Sequence, residues 1–103
     1  PTGSEIGLSI TSRDVIHSFW IPALNGKRDA VPRRISPWKI EADVPGFYFG
    51  QCTEFCGLSH ARMQMQAVAM TPVDFQAWVD EQMQPAAQPA DAAVERGLAV
   101  FEG

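Results

Sequence analysis

Cysteine is scarce: the 103 residues hold only Cys52 and Cys56, too few for a scaffold built on disulfides. Long apolar runs are missing too. No stretch approaches the ~20 uninterrupted apolar residues of a membrane-spanning helix, so this piece reads as soluble, with no span of its own. Its opening, Pro1-Thr2-Gly3-Ser4-Glu5, has neither the basic start nor the apolar run of a signal peptide. A piece cut from an anchored protein remains compatible with both absences. Basic clusters of the kind that bind nucleic acid are absent as well, and no nucleic-acid partner is expected. What is present suffices for one folded domain: 46% of residues are hydrophobic and 19% charged, which argues against wholesale disorder. The net charge of −4 is unevenly placed. Residues 1–71 are close to neutral, whereas residues 72–103 carry Arg96 as their sole cation against six acids.

Hydrophobic periodicity organises the chain. Ile6, Leu8 and Ile10 alternate with small residues, the two-residue period of a half-buried strand. Val15 to Ile21 is β-branched and aromatic, and Pro22 ends it. Asn25-Gly26, Pro32 and Pro37 make 23–37 a long surface loop. Trp38, Ile40, Ala42 and Val44 alternate again before the Pro45-Gly46 turn. Phe47-Tyr48-Phe49 is a short aromatic strand, 51–62 a loop, and Met63 to Met70 a last strand. The period then becomes helical. Thr71-Pro72-Val73-Asp74 is a helix start, followed by an apolar stripe of Phe75, Trp78, Val79 and Met83. Pro85 and Pro89 stiffen a linker over 84–93, and Val94, Leu98 and Phe101 mark a second short helix. Short strands with Gly/Pro turns indicate a β-sandwich or Greek-key barrel.

The chemistry is concentrated in Cys52-Thr53-Glu54-Phe55-Cys56-Gly57-Leu58-Ser59-His60-Ala61-Arg62-Met63. Two thiols, an imidazole and a thioether fall within twelve residues, as C-x-E-x-C-x3-H-x2-M. Soft sulfur with imidazole suits copper, zinc or iron–sulfur chemistry, and a methionine ligand points to copper electron transfer. Blander readings exist for each residue alone. Cys52 and Cys56 can form a plain disulfide, Met63 can be core filler, and His17 or His60 can be a satisfied structural histidine. A mononuclear blue-copper site would leave one cysteine idle, and a structural zinc or disulfide-stapled domain would need neither Met63 nor His17.

The loop resembles the ligand loop of the dinuclear copper (CuA) domain of cytochrome c oxidase subunit II. Arg13-Asp14-Val15-Ile16-His17-Ser18-Phe19 is similar to that family's upstream histidine strand, and Lys27, Asp29 and Pro32 fit its Lys-x-Asp-x-x-Pro segment. Pro45-Gly46 and Phe47 to Gln51 match the run into the loop. The resemblance covers roughly residues 5–83. It implies a mostly β, cupredoxin-like Greek-key sandwich lacking its first strand, followed by a short helix and a linker. It implies two copper ions bridged by Cys52 and Cys56, one completed by His17 and a weak Met63, the other by His60 and the Glu54 backbone carbonyl. The Glu54 side chain would reach magnesium only in a complex with subunit I. Electrons would pass from cytochrome c to haem in subunit I of a haem-copper terminal oxidase, on the periplasmic face of the respiratory membrane, with anchoring by N-terminal transmembrane helices. By itself the domain would be an electron carrier without the oxygen-reducing site. Phe19, Phe49, Phe55 and Leu58 are candidates to keep water from the centre, and Asp14 is a candidate to orient His17.

Several features qualify the resemblance. Pro32-Arg33-Arg34 stands where Pro-Gly-Arg is usual, which removes a glycine suited to positive φ. A sheet edge left open by the absent first strand predicts a strand-paired homodimer of the isolated piece. Residues 94–103 resemble the opening helix of a c-type cytochrome, so the expected division is a copper domain over 1–83, a linker over 84–93 and the start of a further domain. No C-x-x-C-H is present, and no haem is expected on this fragment. The copper domain of nitrous oxide reductase has a similar ligand spacing and is the nearest alternative.

Overall fold

The computed structural model describes every residue except Ala86, so part of the linker expected over 84–93 lies outside the described residues. In chain order the strands are β1 (Ile6–Ile10), β2 (His17–Trp20), β3 (Lys27–Ala30), β4 (Ser36–Ile40), β5 (Gly46–Gln51) and β6 (Gln64–Ala69). They form three antiparallel pairs: β1 with β4, β2 with β3, and β5 with β6. Helices α1 (Pro72–Gln82) and α2 (Ala92–Glu102) follow.

Alternation decides which way the outer strands face. Ile6, Leu8 and Ile10 of β1 turn inward opposite Ile40, Trp38 and Ser36 of β4. Pro37, which has no N–H to give, sits opposite Ser9 on the outward face. In β5, Tyr48 and Gly50 point inward opposite Ala67 and Met65, leaving Phe47 and Phe49 outward. The small core lies where β2 meets β5 and β3 meets β4. Its buried members are Ser18, Ile21, Leu24, Ala30, Ser36 and Cys52.

Close approach of β2 to β5 rests on one glycine. A Cβ on Gly50 would lie 2.7 Å from Ile21 Cγ1 and 2.9 Å from the Trp20 carbonyl carbon, with the Trp20 carbonyl oxygen nearer still. Any larger residue there would push apart the two strands that carry His17 and lead to Cys52.

Several expectations change. The loop expected over 23–37 contains β3 and the start of β4. Lys27-Arg28-Asp29-Ala30 has no apolar alternation, and β3 exists because β2 offers it a ladder. The strand expected from Val15 to Ile21 narrows to His17–Trp20, with Val15 and Ile16 exposed. Alternation through Ala42 and Val44 does not extend β4 past Ile40. The stripe on α1 is only partly covered: Phe75 and Val79 are half-buried, but Trp78 and Met83 are exposed. Helix α1 begins as expected, with Asp74 N–H donating to Thr71 Oγ1 at 3.2 Å. Helix α2 begins at Ala92, two residues inside the expected linker, because the Asp91 carboxylate accepts from the N–H groups of Ala93 and Val94.

Arg33 adopts φ +62°, the only positive φ outside glycine among the described residues. The turn that seats it is closed by Arg34 N–H donating to the Val31 carbonyl at 3.2 Å. Replacing the usual glycine has therefore not abolished the left-handed backbone.

Candidate metal centre

Two segments build the centre. Strand β2 supplies His17 at its first position, and β5 delivers Cys52 one residue after its end. The loop from Cys52 to Met63 is closed at its base by Cys52 N–H donating to the Met63 carbonyl at 2.9 Å, which continues the β5–β6 ladder. Within the loop, His60 N–H donates to the Gly57 carbonyl at 3.1 Å. A short 3₁₀ turn over His60–Arg62 then returns the chain to Met63. Gly57 has φ +131°, a conformation that a side chain would strain.

The donor atoms converge on the two sulfurs. Cys52 Sγ lies 3.9 Å from Cys56 Sγ, 4.0 Å from His17 Nδ1 and 3.1 Å from the Glu54 carbonyl oxygen. Cys56 Sγ lies 3.4 Å from His60 Nδ1 and 3.7 Å from Met63 Sδ. The ligand atoms of His17, Cys52 and Cys56 all fall within 4.8 Å of one another. His60 and Met63 join the group through Cys56, and Glu54 joins through its carbonyl beside Cys52. Both cysteines are free thiols, and their sulfurs are far beyond the ~2.05 Å of a disulfide. This donor set is sulfur-rich with two imidazoles and a thioether, which fits copper better than a closed zinc site.

The two thiols differ electrostatically. Burial pushes Cys52 up, but the Ser18 and Glu54 backbones, His17 and Cys56 outweigh it and hold the thiol at about 6. Cys56 is raised, first by burial and then by the neighbouring Cys52 sulfur. Two sulfurs this close resist carrying two negative charges without a cation between them. His17 is raised, chiefly because Asp14 accepts its Nε2–H at 2.7 Å. Asp14 is correspondingly lowered to about 2, mainly by that hydrogen bond and then by Ser12.

The expected water shield is not there. Phe19 is half-buried, but Phe49, Phe55 and Leu58 are exposed on the outer face of β5 and on the loop. Phe55 instead sets its ring edge-on to His60, centroids 5.7 Å apart. A participant that the sequence pattern did not single out is Ser18, 1% exposed. Its backbone favours the Cys52 thiolate, and its hydroxyl donates to Asp29 Oδ1 at 2.8 Å, directly across the β2–β3 ladder. Its place in the His-Ser-Phe run was the one available signal.

Residues 1–70 match the family described as cytochrome c oxidase subunit II, periplasmic domain. The chain belongs to the cytochrome c oxidase subunit II family. It is 38% identical over 102 residues to cytochrome c oxidase subunit 2 of Alkalihalophilus pseudofirmus, covering 99% of this chain and 30% of that protein. Identity to the same subunit of Brettanomyces custersianus is 42% over 82 residues, covering 80% of this chain and 33% of that one. The chain therefore spans about a third of the length of these curated relatives. The crystal structure of the periplasmic domain of cytochrome oxidase subunit II from Bradyrhizobium japonicum superposes with a TM-score of 0.75 at 36% identity. The superposition covers 79% of this chain and 59% of that one. The subunit II domain is thus mostly β and cupredoxin-like, and a periplasmic domain lies on the extracytoplasmic side of its membrane. No helix among the described residues is long and apolar enough to cross that membrane.

Proposed function

We propose that this subunit II domain carries electrons one at a time through two copper ions held by His17, Cys52, Cys56, His60, Met63 and the Glu54 carbonyl. The observation that carries the reading is the convergence of two free thiols 3.9 Å apart with two imidazole Nδ1 atoms, a thioether and a carbonyl, each within 4.0 Å of one of the sulfurs. When bound, the copper pair supplies a one-electron couple whose charge the thiolates largely offset. Cys52 and Cys56 would hold the copper through their thiolates, with His17 and His60 as imidazole donors and Met63 as a weak donor. A strand and a short closed loop hold these side chains, so they have little room to rearrange as charge changes, and a small rearrangement favours fast transfer.

In the parent oxidase the donor is cytochrome c and the acceptor is haem in subunit I, with the domain anchored on the periplasmic face by helices outside this chain. Residues 1–83 form the copper domain, and a linker from residue 84 leads to α2 (Ala92–Glu102), which opens a cytochrome c-like domain that would make delivery intramolecular. Glu54, half-buried in the loop, would share magnesium with subunit I in the complex. The isolated piece forms a strand-paired homodimer, which light scattering tests; a monomer refutes that part alone.

Copper stoichiometry with EPR tests the centre. Reduced protein loaded with copper is expected to bind two ions and show the many-line hyperfine pattern of one electron shared by two nuclei. Cys52→Ser and Cys56→Ser are each expected to abolish that pattern. One ion per chain, or a shared-electron spectrum surviving either substitution, refutes the reading.

A further inference from the structure

Asp14 is not among the ligands, yet it touches the ring of one. Its Oδ1 lies 2.7 Å from His17 Nε2, while Nδ1 on the other side of the same ring lies 4.0 Å from Cys52 Sγ. The carboxylate sits in a turn: Asp14 N–H donates to Ser12 Oγ at 3.3 Å, and the one Ser12 hydroxyl proton is shared between the Val15 carbonyl at 2.5 Å and Asp14 Oδ1 at 3.0 Å.

We propose that Asp14 is a positioning residue that keeps the ring proton of His17 on Nε2 and so presents the Nδ1 lone pair to Cys52 and the metal. The reason is steric and electrostatic. A neutral imidazole has one N–H and one lone pair. With the proton on Nδ1, the Nε2 lone pair would face a carboxylate oxygen at 2.7 Å, two acceptors with no hydrogen between them. With the proton on Nε2, that separation is a short charge-assisted hydrogen bond. The second arrangement leaves Nδ1 bare on the side where the sulfurs lie. A carboxylate behind a ligating imidazole also makes the ring a stronger donor.

Asp14 is 71% exposed, and a mere surface ion pair would have the same distance. Two features separate the roles. The Ser12 turn holds the Asp14 backbone whether or not a metal is present, and the ring that the carboxylate grips ends against the sulfur of Cys52, a residue 4% exposed. An exposed pair with no further role would leave the metal indifferent to Asp14.

The inference deepens the copper reading and rests on it for what Nδ1 binds, but not for which nitrogen bears the proton. Two measurements keep the failures apart. In the metal-free chain, at a pH where the ring is neutral, the imidazole ¹⁵N shifts of His17 are expected to show a protonated Nε2 and a bare Nδ1. Asp14→Ala is expected to mix the tautomers, whereas Asp14→Asn, whose amide oxygen still accepts, retains the wild-type one. An Asp14→Ala protein with wild-type shifts overturns the inference whatever copper does. In the copper-loaded chain, Asp14→Ala is expected to bind copper about 10–100-fold more weakly. The loss should be greater for the oxidised form, and a tenfold difference raises the potential by about 59 mV. Wild-type copper affinity and potential in Asp14→Ala overturn the positioning role. Failure of the wild-type chain to bind copper overturns the copper reading alone and leaves the tautomer result standing.

Discussion

Gly50→Ala tests the contact that assembles the centre. The added methyl would sit 2.7 Å from Ile21 Cγ1 and 2.9 Å from the Trp20 carbonyl carbon, against about 3.5–4.0 Å for carbon atoms at ease. Relief therefore takes about 0.6–1.3 Å of movement, and more from the nearer Trp20 carbonyl oxygen. Ile21 can turn its side chain, but the Trp20 carbonyl is main chain and can yield only if β2 retreats from β5. Overpacking of this kind costs about 1–3 kcal/mol, and each kcal/mol lowers the melting temperature of a domain this size by about 4–8 °C. The effect on the site is separate. His17 rides on β2 and Cys52 follows β5, so the same retreat widens their 4.0 Å spacing, whereas metal sites hold ligand distances within about 0.2 Å. Thermal unfolding of reduced, metal-free protein and a copper competition titration read the two effects. Gly7→Ala is the control, because its Cβ meets nothing within 4 Å on a strand surface. A Gly50→Ala protein that melts with Gly7→Ala and binds copper like the wild type would refute the role given to this contact.

Other substitutions probe independent features. Arg33→Gly is expected to stabilise the fold by about 0.5–1 kcal/mol, because relief of about 1–2 kcal/mol of left-handed strain exceeds glycine's entropic cost of about 0.5–1 kcal/mol; Arg33→Ala, with the same Cβ, should gain nothing, and equal denaturation midpoints for the two would reject the strain. Met63→Leu is expected to retain copper and raise the reduction potential, since a weak donor to the oxidised form is lost; an unchanged potential by voltammetry makes Met63 packing alone. Asp14 and His17 set a pH window for the metal-free fold. Asp14 is lowered from 3.8 to about 2, so its contribution is present above about pH 4 and lost as pH falls through 2. His17 is raised above 6.5, so its contribution is complete below that pH and lost as pH rises through the shifted value. Urea unfolding across pH should show a gain between these limits that Asp14→Asn removes; identical profiles would dismiss the pair as a source of stability.

The ligand loop was legible because its chemistry is local. Cys52, Cys56, His60 and Met63 lie within twelve residues, and a loop that short, closed by one backbone hydrogen bond between Cys52 and Met63, must bring them together. Local sequence likewise marked β1 by alternation, β5 by its aromatic run, β6 as a last strand and α1 by its cap and apolar stripe, but placed the start of α2 two residues late. Other features depended on partners distant in sequence. Lys27–Ala30 is a strand only because β2 lies beside it, and Phe49 of β5 and Phe55 and Leu58 of the loop are exposed, where apolar character alone predicted a shield. His17 became a member of the centre through the family resemblance, since nothing in its own neighbourhood points 35 residues ahead to Cys52. The tertiary structure joins them by the absence of a side chain at Gly50, which lets β2 lie against β5. It also decides which face of the His17 ring meets sulfur and which meets Asp14. Local spacing fixes what a segment can hold; only packing between segments fixes which atoms it turns toward another.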